Sequence, residues 1–265
     1  MDTSCESAAT GREPPRMEQV SLLKTGAQAL GLTLDDGQLQ QFETYAHRLD
    51  EANAQMNLTS VPPDEVVVRH FLDSLTLVAA WQPIAGAWVL DVGTGAGFPG
   101  LPLKIAFPQI RLALLDSRHD PFLFLRPLCA ELGIDGVEFI HARAEEAARK
   151  PQWREQFDMV TARAVAHLWA LAEWTLPFVR TGGVAIWMKR PSQRSEIDQA
   201  REHILHLGGG EPQVIEVGVP HSDIVNLLVR AEKATPTPER YPRATARVLR
   251  EAKRFRHVVE DGAGR

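Results

Sequence analysis

The spacing of apolar residues changes character near residue 85. Before it, apolar positions recur at helical intervals. Leu39, Phe42, Ala46, Leu49 and Met56 make one stripe, and Val67, Phe71, Leu72, Leu75 and Val78 make a second. Asp35 and Asp36 precede the first stripe as candidate caps, and the second begins near Asp64. A shorter helix fits residues 18–30. Residues 1–16, rich in Ser, Ala, Glu, Gly and Pro, have no period and read as a disordered extension, with Met17 as an alternative start. Residues 17–82 therefore read as a helical cap over the rest of the chain.

From Ala87 onward, short apolar runs alternate with helical stretches. Strands are predicted at 87–93, 111–116, 137–141, 157–161, 183–188, 212–219 and 226–231. Helices fall between them at 98–107, 121–132, 145–150, 167–179 and 192–207. Apolar runs of this kind suit strands buried on both faces of a mostly parallel, doubly wound sheet. Only residues 220–225 join the last two strands, too few for a crossover, so that pair must be antiparallel. The expected fold is α/β and Rossmann-like, with seven strands over 83–233 and a tail at 234–265. A sheet ending this way resembles the class I S-adenosylmethionine-dependent methyltransferase fold.

The first predicted strand runs into Asp91-Val92-Gly93-Thr94-Gly95-Ala96-Gly97-Phe98-Pro99-Gly100, four glycines within eight positions. Glycines after a strand let the backbone turn tightly and approach a ligand. Pro99, followed by Leu101, Leu103, Ile105 and Phe107, reads as a helix start. Gly95, Gly97 and Gly100 formally satisfy the dinucleotide pattern G-x-G-x-x-G, and Asp116 stands where a ribose-binding acid is expected. Yet Asp91 ahead of Gly93-x-Gly95-x-Gly97 is the loop typical of S-adenosylmethionine enzymes. Two enzyme readings follow: a methyltransferase, and an NAD-dependent dehydrogenase that lacks a catalytic His or Lys after its later strands. A third is an RNA-binding or ribosome-assembly factor without chemistry.

Composition narrows the setting. Apolar residues make up 44% of the 265 and charged residues 24%, as in a globular protein, and no run reaches the ~18 residues of a membrane helix. Cys5 and Cys129 form neither a disulfide framework nor a metal site, and no signal-peptide core is seen at the start, so a cytoplasmic location is expected. The net charge is −5, yet residues 239–257 gather Arg240, Arg243, Arg247, Arg250, Lys253, Arg254 and Arg256 against Glu251. A helix could display several of them together, as a nucleic-acid contact or a solvated tail. His70 and Asp73, three apart, could share a face; packing or capping is the plainer role for the histidine.

Several pieces in order closely resemble the 16S rRNA (guanine-N7) methyltransferases, the ribosomal RNA small subunit methyltransferase G or glucose-inhibited division protein B family. They are Asn57-Leu58-Thr59-Ser60, Val68-Arg69-His70-Phe71-Leu72-Asp73-Ser74-Leu75, the glycine loop, Leu115-Asp116-Ser117, Ala144-Glu145-Glu146 and Thr161-Ala162-Arg163-Ala164. The first two lie outside the cofactor fold and are the more specific. The resemblance spans residues 20–232. A family Trp-Asn is replaced here by Ala52-Asn53, which puts one aromatic contact of the cap in doubt.

The resemblance implies S-adenosyl-L-methionine held by Asp91, Gly93, Gly95, Gly97, Phe98, Asp116, Ala144, Glu145 and Arg163, with no metal. Asp116 would accept the ribose hydroxyls, Ala144 and Glu145 would lie at the adenine edge, and Phe98 would close the site. Glu145 could instead stabilise a helix N-terminus, and Arg163 could pair with Asp158. The implied substrate is a guanine in a small-subunit RNA loop near the decoding centre, with neither DNA nor membrane as partner and the enzyme a monomer. The exocyclic-amine motif (Asp/Asn)-Pro-Pro-aromatic is replaced by Thr161-Ala162-Arg163-Ala164, and Cys129 sits among apolar residues, unlike a C5-attacking nucleophile. A ring nitrogen with a free lone pair remains, and it needs no general base. Arg163 and Lys189 are therefore candidates for positioning substrate rather than for acid–base work.

Overall fold

The computed structural model describes residues 16–163 and 166–255. Cys5, most of the extension at 1–16, Ala164, Arg256 and the chain beyond lie outside the described residues. Helix α1, Arg16–Ala29, starts two residues before the predicted 18–30 and ends one residue short of it. Helix α2, Asp36–Met56, is capped as its sequence suggests: Asp35 accepts from the Gln38 N–H, and Gln38 answers at the Asp35 N–H.

The second apolar stripe does not form one regular helix. It breaks into a 3-10 turn at Pro63–Glu65, a π-helical stretch at Val67–Leu72, one α-turn (α3, Asp73–Leu75) and a second 3-10 turn at Thr76–Ala79. Wide turns of this kind re-aim side chains and recur at functional sites. Here the segment delivers His70 and Asp73.

All seven strands form where the apolar runs predict: β1 Trp88–Val92, β2 Arg111–Asp116, β3 Val137–His141, β4 Phe157–Arg163, β5 Val179–Lys189, β6 Gln213–Gly218 and β7 Val225–Glu232. They lie in the order β3-β2-β1-β4-β5-β7-β6, with β7 antiparallel to both neighbours. The order reverses between β1 and β4, and an open α/β sheet binds ligands outside the strand ends at such a point.

The intervening helices are α4 Gly100–Ala106, α5 Asp120–Glu131, α6 Ala144–Ala147, α7 Leu168–Thr175 and α8 Ser195–His206. Several are shorter than their apolar patterns. Pro177 converts the end of the predicted 167–179 helix into a 3-10 turn, and Pro191 does the same at the start of 192–207. One core lies between the sheet and α1, α2, α4 and α5, with Phe42, Tyr45, Phe71 and Leu101 at its centre. The other lies beneath α7 and α8, around Trp187, Leu171 and Ile204. The tail forms a last helix, α9 Thr245–Ala252, which adds Val248 and Ala252 to this second core.

Candidate active site

The glycine turn is closed by one carboxylate. Asp91, with no accessible surface, accepts from Thr94 Oγ1 at 2.7 Å and from the Gly100 N–H at 3.0 Å through Oδ2. Its Oδ1 is buried with no partner. Burial pushes the Asp91 carboxyl up to about 6, against the pull of those two donors. Gly93 and Thr94 both donate to the Leu115 carbonyl, which pins the turn to β2. Asp116 completes it, accepting from Gly95 N–H at 3.0 Å and from Arg118 N–H at 2.9 Å.

Two of the glycines differ in surroundings. A side chain on Gly95, at φ +53°, would meet nothing within 4 Å. One on Gly97, at φ +103°, would stand 2.5 Å from Tyr45 Oη. Gly95 thus opens on a cavity, and Gly97 is where α2 presses against the turn. The cavity, about 400 Å³, is lined by Gly93, Gly95, Asp116, Ala144, Glu145 and Arg163. Asp91, Gly97 and Phe98 stand behind its wall. Phe98 is stacked between Tyr45, at 5.3 Å between ring centres, and His70, at 4.2 Å.

Trp174 of α7 also lines this cavity, and its indole N–H is buried without an acceptor. Nothing in the spacing of the sequence marks that residue. Glu145 accepts from Arg143 Nε at 2.7 Å and from Thr245 Oγ1. The tail therefore reaches the cavity wall. Burial alone would raise the Glu145 carboxyl, but these donors hold it below its ordinary value.

A second cavity of about 750 Å³ lies beyond Arg163, bounded by Arg69, His70, Lys189, Arg190 and Gln199 among others. Arg163 borders both spaces. Its Nη1 donates to Asp73 at 2.7 Å and its Nη2 to His70 Nδ1 at 3.1 Å, while the guanidinium lies over the Phe98 ring. Asp158 is occupied elsewhere, by Arg180 and the Trp88 N–H, so the alternative pairing with Arg163 does not form. An arginine can only donate, so His70 accepts at Nδ1 and carries its proton on Nε2, 2.7 Å from Thr59 Oγ1. Burial, then the Arg163 charge, lowers His70 to about 3, and the ring is neutral. Packing, the plainer expectation for His70, is half of its role; it also aims Arg163.

Lys189 is 3% exposed and bonded to Glu196 and the Ala166 carbonyl, both at 2.8 Å. It belongs to the wall of the second cavity and offers no free charge to a substrate. Ala52 is where the sequence departs from the family Trp-Asn pair; the Asn53 beside it exchanges two bonds with the Thr59 backbone and so steadies the loop that holds His70.

The model of rRNA small subunit methyltransferase G matches residues 38–225. Ribosomal RNA small subunit methyltransferase G of Alkaliphilus metalliredigens is 45% identical over 228 residues, covering 86% of this chain and 95% of that protein. The protein of the same name from Dehalococcoides mccartyi is 44% identical over 220 residues, covering 82% and 93%. Among solved structures, a variant of MtNAS superimposes with a TM-score of 0.50 at 17% identity, covering 84% of this chain and 78% of that one. That likeness is one of fold.

Proposed function

Because the chain belongs to the rRNA small subunit methyltransferase G family, we propose that it methylates N7 of a guanine in 16S rRNA with S-adenosyl-L-methionine as donor. The observation that carries the reading is Arg163, standing between a nucleoside-sized cavity at the sheet's reversal point and a larger, arginine-lined one. The dehydrogenase alternative loses its footing with family membership, and Gly97 is backed by Tyr45 instead of facing a pyrophosphate.

The residues of the first cavity suit the donor. Asp116 keeps lone pairs beyond its two backbone bonds for ribose hydroxyls. The unpartnered Trp174 N–H supplies a donor in the wall. When bound, S-adenosyl-L-methionine supplies an electrophilic methyl group on a sulfonium. Asp116 and the bare Gly95 backbone would hold the nucleoside end of it, and Ala144 and Glu145 would bound its adenine. Arg163, immobilised by Asp73 and His70, would hold the RNA so that its base is presented in the second cavity. Guanine N7 bears a free lone pair, so no side chain has to remove a proton. Alignment of the two reactants is then the catalytic contribution, worth up to ~7–11 kcal/mol. N7 is hard to reach in a regular A-form helix, which favours a loop as target. This substrate implies work in the cytoplasm, where the ribosomes are, and we take the enzyme to act as a monomer.

The test is transfer of labelled methyl from S-adenosyl-L-methionine to small ribosomal subunits lacking the modification, with the product mapped by mass spectrometry. 7-Methylguanosine in 16S rRNA is expected. Cofactor and subunit binding without transfer would instead favour an assembly factor.

A further inference from the structure

Asp73 has no accessible surface, yet it faces two arginines from different strands. Its Oδ2 takes Arg163, the last residue of β4. Its Oδ1 lies 2.9 Å from Nη2 of Arg190, the residue after β5, and accepts from Asn226 of β7 at 3.1 Å. Asn226 in turn accepts from Arg190 and bonds Thr76 Oγ1. One carboxylate from the helical cap thus ties together three adjacent strand ends.

The charges do not cancel. One carboxylate against two guanidiniums leaves one positive charge, whereas Lys189 is matched by Glu196 and Arg69 by Glu65. Nor are the donors exhausted. A guanidinium has five N–H groups. Arg163 uses three, on Asp73, His70 and the Arg69 carbonyl; Arg190 uses two, on Asp73 and Asn226. Two planar forks, fixed side by side at the edge of a cavity with surplus charge and spare donors, match the oxygens of a phosphate.

We propose that Arg163 and Arg190, locked together by Asp73, grip a backbone phosphate of the RNA beside the base in the second cavity, with Asp73 as the positioning residue. The site rests on the methyltransferase reading above and names what holds the RNA there. It makes an opposed prediction for Asp73. Removing a buried negative charge should, by long-range attraction alone, strengthen RNA binding. If Asp73 works by holding the arginines, removing it should weaken binding.

The experiment uses the full chain and small ribosomal subunits, with equilibrium binding measured without cofactor over a range of salt. Arg190→Gln should lower the slope of log affinity against log salt by about 0.7, one phosphate contact, and Arg190→Lys should restore it. In turnover, the loss should fall on KM for subunits, by about tenfold, rather than on kcat, as expected for a lost charge-assisted contact. Asp73→Asn should also weaken binding by about tenfold while S-adenosyl-L-methionine affinity holds. Unchanged or tighter binding by Asp73→Asn, or an unchanged salt slope in Arg190→Gln, overturns the proposal. If Asp73→Asn fails to fold by circular dichroism, the two Arg190 variants decide alone. A wild-type protein that binds subunits with these slopes but transfers no methyl would count against the activity and not against the phosphate site.

Discussion

Asp116 and His70 show how much a single position discloses. Asp116 ends a strand beside a glycine turn, and both facts are local, so its place in the cavity is readable from spacing. Asp116→Ala should weaken S-adenosyl-L-methionine binding at least tenfold by calorimetry, because the ribose hydroxyls and the Gly95 N–H lose one acceptor together. Unchanged affinity would remove the ribose assignment. His70 has an equally visible sequence position but an invisible environment. Its role depends on Arg163, which only the folded sheet brings near. Since burial and that cation hold the ring at about 3, the pH profile of kcat should show no inflection near 6.5 that disappears in His70→Gln. The two arginines on Asp73, and any part for Arg190 or Trp174, were not legible at all. Their partners lie on elements distant in the chain, or, for the Trp174 N–H, are absent, and no local pattern encodes either condition.

Among the elements, strands were read more faithfully than helices, for a physical reason. A strand buried on both faces must be apolar from end to end, as Arg111–Asp116 nearly is, and little else produces such a run. Two predicted helices are cut short at Pro177 and Pro191, whereas α5 runs on past Pro127, and the 63–79 segment keeps a helical stripe while changing its winding three times. The tail was legible as basic and helical, but not as anchored. Arg243 forks onto Glu173 of α7, which His203 of α8 also touches. Burial would raise the Glu173 carboxyl, but His203 and Arg243 outweigh it and leave it at about 2. A carboxylate depressed in the folded state stabilises fully above its unfolded value of 4.5 and loses that contribution as pH falls toward 2. The stability gap between wild type and Glu173→Gln, from urea unfolding, should therefore be wide at pH 6 and narrow steadily below 4.5. A gap independent of pH would mean that the strap is held by packing alone.

At the scale of the whole molecule, an acidic chain displays its basic residues selectively. Arg243 is turned inward, while Arg250, Lys253 and Arg254 remain exposed on α9 and the turn after it. Replacing these three by Gln should lower the salt slope of subunit binding by about 2 and leave cofactor affinity unchanged. Deleting everything after Tyr241 should do both kinds of damage, since it also strips Thr245 from Glu145 in the wall of the first cavity. Equal salt slopes in wild type and the triple variant would make the exposed face a solvated surface only.

The contact of Tyr45 with the glycine turn reaches further than its local fit. Its hydroxyl donates to the Ala96 carbonyl and its ring lies on Phe98, which His70 stacks from the other side, so the segment that carries His70 and Asp73 and the glycine loop rest on one aromatic stack. Severed near residue 82, the chain would yield a sheet with an apolar crater and a set of helices with nothing to close around. The helices and one face of the sheet share a single core, so a cut there would expose both sides of it to water at once.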